Sequence, residues 1–157
     1  MEMESNWMEL GEMTESEFKQ WFRKQWLGWV ESYEPRRGSG IGIPDLQIVA
    51  GGRIVPIELK VGTIKDGVLY PREVRPVQIA WHRKLNEWGI ASVLLIGVYD
   101  LVADDFVACA VDAQYMRTWR HGYKHYVKLP VKDKALFNHV FASWCRGNSA
   151  AAQSSNL

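Results

Sequence analysis

Cysteine is scarce in this chain: two residues in 157, Cys109 and Cys145. Two thiols cannot build the disulfide framework of a small secreted domain, and no Cys/His spacing resembles a zinc site, so the sequence predicts a reducing, intracellular compartment. Long apolar runs are missing as well. Nothing approaches the roughly 18 consecutive apolar residues of a membrane span. The first seventeen residues hold six glutamates and no Lys or Arg, the reverse of a secretory or organellar leader. Net charge of one sign is slight, only +1, which taken alone argues against a nucleic-acid partner. The mean conceals an asymmetry, because after position 17 all 19 basic residues stand against twelve acids. A modest excess of this kind is more often a solvated surface than a binding footprint, so charge alone decides nothing.

What is present suits one domain with a real core: 47% hydrophobic residues and 24% charged. Residues 1–13 are acidic and Met-rich without a period, and residues 147–157 are small and polar. A flexible N-terminus and a disordered tail are therefore expected around a single domain over 14–146. Thr14 with Glu17 three residues on reads as a capping box, and Phe18, Phe22, Trp26 and Trp29 recur at helical spacing, predicting a helix over about 14–28. An extended segment over 29–33 leads to a basic, glycine-rich loop, 35–40. Strands over 45–50 and 53–61 flank Gly51-Gly52, a favoured two-residue hairpin turn. A polar loop containing Lys65, Asp66 and Gly67 precedes Pro76, which opens a helix with Val77, Trp81, Leu85 and Trp88 as its apolar stripe and Gly89 as its stop. Ala91 to Val98 reads as a buried strand parallel to the hairpin, Phe106 to Val111 as another strand, and 112–120 and 132–144 as helices. That order gives an α/β fold, a small sheet covered by helices.

One constellation carries chemistry. Pairing outward from the Gly51-Gly52 turn sets Ala50 against Arg53, Ile48 against Val55 and Asp45 against Glu58. The last is a non-hydrogen-bonded pair, the closer kind, with Cα atoms roughly 4.5 Å apart. Like charges directly opposite on a sheet are destabilising, so something must hold them, and a divalent cation is the usual answer. Val55, Ile57, Leu59 and Val61 alternate onto one face while Glu58 and Lys60 share the other. Oxygen ligands suit a hard cation such as Mg²⁺, with Mn²⁺ as a substitute, and an adjacent lysine can orient an attacking water or stabilise a phosphate in transit. On the first helix, Glu15 falls within the apolar cluster and Glu17 nearly opposite. Glu15 is thus the candidate third acid, though a first-turn acid is also favoured by the helix dipole.

Gly42-Ile43-Pro44-Asp45, twelve residues, then Glu58-Leu59-Lys60 resembles the PD-(D/E)xK nuclease motif. With Arg37-Gly38-Ser39-Gly40 upstream and Pro76-Val77-Gln78 at a helix start, residues 14–98 are similar to members related to Holliday-junction resolvases and VRR-NUC domains, many of them viral. The resemblance implies a restriction-endonuclease-like core, αβββαβ, with a mixed sheet flanked by helices. It implies that Asp45, Glu58 and the backbone carbonyl of Leu59 ligate Mg²⁺, that Lys60 positions the water, and that Gln78 braces the site. Glu15 matches the family's helix-one acid, reaching the metal directly or through water, with Glu17 as the alternative. The implied activity is metal-dependent cleavage of branched or flapped DNA in recombination or repair, by a homodimer. The rivals are a sequence-specific or nicking duplex endonuclease and a non-catalytic DNA-binding protein that keeps the fold.

The remaining candidates are weaker. Arg36, Arg37 and Ser39 precede the metal strand and are placed to contact phosphate oxygens. Lys65, Arg72 and Arg75 form a second basic segment along which a DNA backbone can pass, although a solvated loop accounts for them equally well. Asp45, Glu58 and Lys60 can also be read as a surface ion triplet, and Gln78 as an ordinary helix-edge residue. His82, His121, His125 and His139 show no convincing metal spacing. Trp119 and Tyr123 lie among basic residues and can stack on bases, but packing is the commoner fate.

Overall fold

The computed structural model describes residues 13–32, 43–100, 105–117 and 121–154. Helix α1 (Glu15–Gln25) begins with the expected capping box: Glu17 N–H donates to Thr14 Oγ1 at 3.1 Å, and Thr14 N–H donates to Glu17 Oε1 at 3.1 Å. It stops three residues earlier than its apolar spacing predicts. Asn138, far along the chain, takes over the helix end, with Leu27 N–H donating to its Oδ1 at 2.7 Å and its Nδ2 donating to Gln25 O at 2.8 Å.

Strand β1 (Val30–Ser32) pairs antiparallel with β2 (Leu46–Ala50), which pairs antiparallel with β3 (Arg53–Lys65). Gly51 and Gly52 lie at φ +62° and +74°, the left-handed pair of a type I′ turn. The register is the one the turn dictates, Ala50 opposite Arg53, Ile48 opposite Val55 and Leu46 opposite Ile57. β3 then runs past the expected end at Val61. The predicted polar loop is a second hairpin, turning at Asp66 (φ +53°) and Gly67 (φ +77°) into β4 (Val68–Pro71). Asp-Gly is itself a favoured two-residue turn, and the β-branched Thr63 and Ile64 carry the strand up to it.

Helix α2 (Pro76–Glu87) crosses to β5 (Val93–Asp100), which lies parallel to β3, and β6 (Asp105–Asp112) returns antiparallel beside it. Residues 112–117 do not form the expected helix. Asp112 is still paired with Val93, leaving room only for a 3₁₀ turn (Ala113–Tyr115), which the Asp112 carboxylate caps by accepting from Gln114 N–H at 3.1 Å; residues 118–120 lie outside the described residues. Strand β7 (Val127–Leu129) adds to β6, and helix α3 (Lys134–Ser154) runs past position 147, where composition predicts a tail. Among the described residues the result is a mixed seven-stranded sheet, in order β1-β2-β3-β5-β6-β7 with β4 also on β3, flanked by three helices.

Alternation along β3 sorts the two faces as predicted. Val55, Ile57, Leu59 and Val61 join Phe18 and Phe22 of α1 and Phe137 and Phe141 of α3 in the larger core. Gly97 on β5 belongs to this contact: a Cβ there would lie 2.5 Å from Met13 Cε and 2.7 Å from Phe18 Cδ1, so the bare backbone is what seats α1 on the sheet. The opposite face gathers Leu94, Ile96, Val98, Cys109 and Val111 under Ile79 of α2, together with Met116 and Tyr123. Tyr123 is therefore a packing residue, as the commoner fate predicts. The buried side of α2 departs from the expected stripe. Gln78, Ile79 and His82 face the sheet, Val77 and Trp88 are exposed, and Trp81 and Leu85 are half-buried. Cys109 and Cys145 are buried and not disulfide-bonded. Among the described residues no helix is long and apolar enough to cross a membrane.

Candidate active site

The site begins as a gap in hydrogen bonding. Ile57 pairs with Leu46 of β2 on one edge and Val93 of β5 on the other; Gly62 pairs with Pro71 of β4 and Val98 of β5. β2 and β4 therefore follow one another along the same edge of β3, and among the described residues residues 58–61 carry no strand ladder there. Backbone groups in that notch find other partners. Leu59 N–H donates to Asp45 Oδ2 at 2.8 Å, and Arg72 N–H donates to Val61 O at 2.7 Å. A strand residue sends its N–H and C=O to one edge, so the Leu59 carbonyl opens on the notch beside Asp45.

Asp45 directly precedes β2, and continuing the β2–β3 register by one residue sets it opposite Glu58. Glu58 is 1% exposed and lies on the face covered by α2. Gln78 Nε2 approaches Glu58 Oε2 at 3.4 Å, and the amide's other end is fixed because Gln78 Oε1 accepts from Arg75 N–H at 2.9 Å. His82 Nε2 lies 3.2 Å from Glu58 Oε1, while its Nδ1 lies 2.7 Å from Ser92 Oγ. Burial first, then the hydrogen bond and repulsion from Asp45, push the Glu58 carboxyl up to about 10, against the weaker pull of Lys60. Burial holds His82 down to about 4. At neutral pH without a cation, Glu58 and His82 thus meet as neutral hydrogen-bonding partners rather than an ion pair.

Lys60, two residues along the same face, is almost fully buried and reaches Glu15 Oε1 at 3.4 Å. Glu15 is half exposed, and burial raises its pKa while Lys60 opposes the shift. Glu17 is occupied by the capping box, whereas Glu15 reaches Lys60. Among the described residues no group of three or more His, Cys, Asp and Glu side chains is gathered tightly enough to hold a metal ion. Glu15 is accordingly tied to Lys60 rather than grouped with Asp45 and Glu58. Two carboxylates and one carbonyl remain, all oxygen donors. Mg²⁺ commonly takes one or two carboxylates and keeps several waters, so the donor set fits it.

Arg72 and Arg75 sit at the rim, the first bonded through its backbone to Val61 and the second to Gln78. Lys65 does not: it ends β3 at the Asp66-Gly67 turn, five residues or about 16 Å of strand from Lys60. Arg36, Arg37 and Ser39 lie outside the described residues. Sequence reasoning missed the roles of His82, Ser92 and Glu73. His82 is legible in retrospect, since it lies four residues after Gln78 and shares its helix face. Ser92 carries no signal of its own. Glu73, held at φ +57° between β4 and α2, is an exposed acid close enough to raise Glu15 further. No protein-family model matches the chain, and no curated protein does.

Proposed function

We propose that this chain is a metal-dependent DNA endonuclease of the PD-(D/E)xK type, with a restriction-endonuclease-like core. The observation that carries the reading is the notch on β3, where Asp45 opposes a buried Glu58 and Lys60 stands two residues along the same face. The order of elements supports it: α1, then strands ending in the β2–β3–β4 meander, then α2, then β5 parallel to β3. Four strands rather than three stand between α1 and α2, β4 being the addition to the expected order.

In this reading Asp45, Glu58 and the Leu59 carbonyl hold Mg²⁺, for which Mn²⁺ can substitute. The bound cation supplies a Lewis acid that neutralises charge developing on the phosphodiester and lowers the pKa of water. Lys60 orients the attacking water and stabilises the phosphate, and Glu15 keeps the ammonium group aimed by accepting from it. Gln78 braces Glu58 while capping α2, which couples the helix position to the carboxylate. Arg72 and Arg75 contact phosphate oxygens at the rim. The substrate is branched or flapped DNA in recombination or repair, and a homodimer suits the two symmetric strands of a four-way junction.

The test is incubation with labelled four-way junction, flap, single-stranded and linear duplex DNA in Mg²⁺, Mn²⁺ or EDTA. Divalent-dependent cutting that is absent in Glu58→Ala and Lys60→Ala proteins is expected. Symmetric nicks across the junction favour the resolvase form, flap or single-strand cutting the VRR-NUC form, and sequence-specific duplex cutting the restriction form. Cleavage that survives either substitution at a near-normal rate refutes the mechanism.

A further inference from the structure

His82 has no part in the motif, yet among the described residues it is the most enclosed polar side chain, at 0% exposure. A buried imidazole placed only to fill space would be replaced without loss by an apolar side chain, and its two ring nitrogens would need partners wherever they fell. Here both are engaged. Nδ1 meets Ser92 Oγ at 2.7 Å and Nε2 meets Glu58 Oε1 at 3.2 Å. Ser92 is itself buried, and its backbone is fixed because its carbonyl accepts from Ala113 N–H at 3.0 Å at the 3₁₀ turn. The chain of contacts therefore runs from a backbone anchor through Ser92 and His82 to one oxygen of Glu58, while Gln78 takes the other.

We propose that His82, oriented by Ser92, is a positioning residue that aims the Glu58 carboxylate at the divalent cation. The proposal rests on the metal-site reading above. A carboxylate that holds a cation can only accept from its neighbours, so Nε2 must carry the proton and donate to Glu58 Oε1. Nδ1 is then the acceptor, and the Ser92 hydroxyl donates into it. Ser92 thus selects the tautomer that serves the metal ligand. With both nitrogens occupied, His82 does not bind the cation itself. Partners of this kind, one bond removed from the metal, typically change metal affinity about 10- to 100-fold when removed.

The test uses the full chain and Mn²⁺ as the probe, titrated calorimetrically into wild type, His82→Ala, His82→Gln and Ser92→Ala, with thermal melting as the check on folding. Mn²⁺ affinity about 10- to 100-fold weaker in His82→Ala, with Ser92→Ala also weakened and His82→Gln retaining most of the affinity through its amide donor, is the expected pattern. A folded His82→Ala protein that binds Mn²⁺ like wild type overturns the proposal and leaves the metal site standing. Wild type that takes up no Mn²⁺ overturns both. Should His82→Ala not fold, long-range ¹H–¹⁵N spectra of Mg²⁺-loaded wild type decide: Nε2 protonated and Nδ1 bare supports the role, and Nδ1 protonated ends it.

Discussion

Glu58→Gln should make the cation-free protein more stable, not less. In the unfolded chain this carboxyl ionises near its ordinary value of 4.5, whereas in the fold burial and Asp45 hold the proton on until about 10. Between those values the folded state binds the extra proton, so stability falls as pH rises, by about 1.4 kcal/mol per unit. At neutral pH the accumulated loss is roughly 3 kcal/mol, and it continues to grow toward pH 10. Glutamine cannot ionise in either state and retains a carbonyl and an amide for Gln78 and His82, so the slope disappears. His82, held near 4, imposes the opposite slope as pH falls below its ordinary 6.5, but both proteins share it and it cancels in the difference. Urea unfolding in EDTA, followed by tryptophan fluorescence, should show the Gln variant ahead by roughly 3 kcal/mol near pH 7 and about level near pH 4. Mg²⁺ at a hundredfold excess over Kd should add about 2.7 kcal/mol to wild type and nothing to the variant, nearly closing the gap at neutral pH. A Gln variant weaker than wild type at neutral pH, or a gap that does not close on acidification, refutes the electrostatic account.

Lys60→Met should lower single-turnover cleavage about 10²- to 10³-fold, the usual cost of removing one preorganised electrostatic donor, while DNA binding in Ca²⁺ persists; a loss below tenfold would remove the lysine from the chemistry. Arg72→Ala and Arg75→Ala should each reduce the slope of log binding constant against log salt by about 0.9, whereas Lys65→Ala, at the far hairpin tip, should leave it unchanged. Equal slopes in all three would take the rim out of the DNA path. Gly97→Val should destabilise the fold by about 1–3 kcal/mol in urea, because its Cβ would collide with Met13 and Phe18 where α1 meets the sheet. An unperturbed midpoint would mean that α1 does not rest on Gly97.

The hairpin at the heart of the site is legible because a two-residue Gly-Gly turn leaves a single register, and alternation then assigns every β3 side chain to a face. Asp45 opposite Glu58 follows from counting. Thr14 and Glu17 are legible for the same kind of local reason, and that in turn leaves Glu15 to reach Lys60. The orientation of α2 is not local. Val77, Trp81, Leu85 and Trp88 make the more apolar stripe, yet the helix buries Gln78 and His82 because a carboxylate waits beneath them. Only the assembled sheet supplies that partner. The C-terminus of α1 is similar, since Asn138 closes it from another helix. The segment after Asp112 fails differently: its helical propensity loses to a strand that stays paired through that residue.

The meeting of two tight hairpins on one strand restricts which length changes this protein can accept. One residue inserted at Gly51-Gly52 would swing Asp45 to the opposite surface, and two would carry it about 7 Å down the strand. An insertion at Asp66-Gly67 would instead shift β4 and the Arg72 amide that closes the notch from above. Homologues that keep the chemistry should therefore keep both turns at two residues.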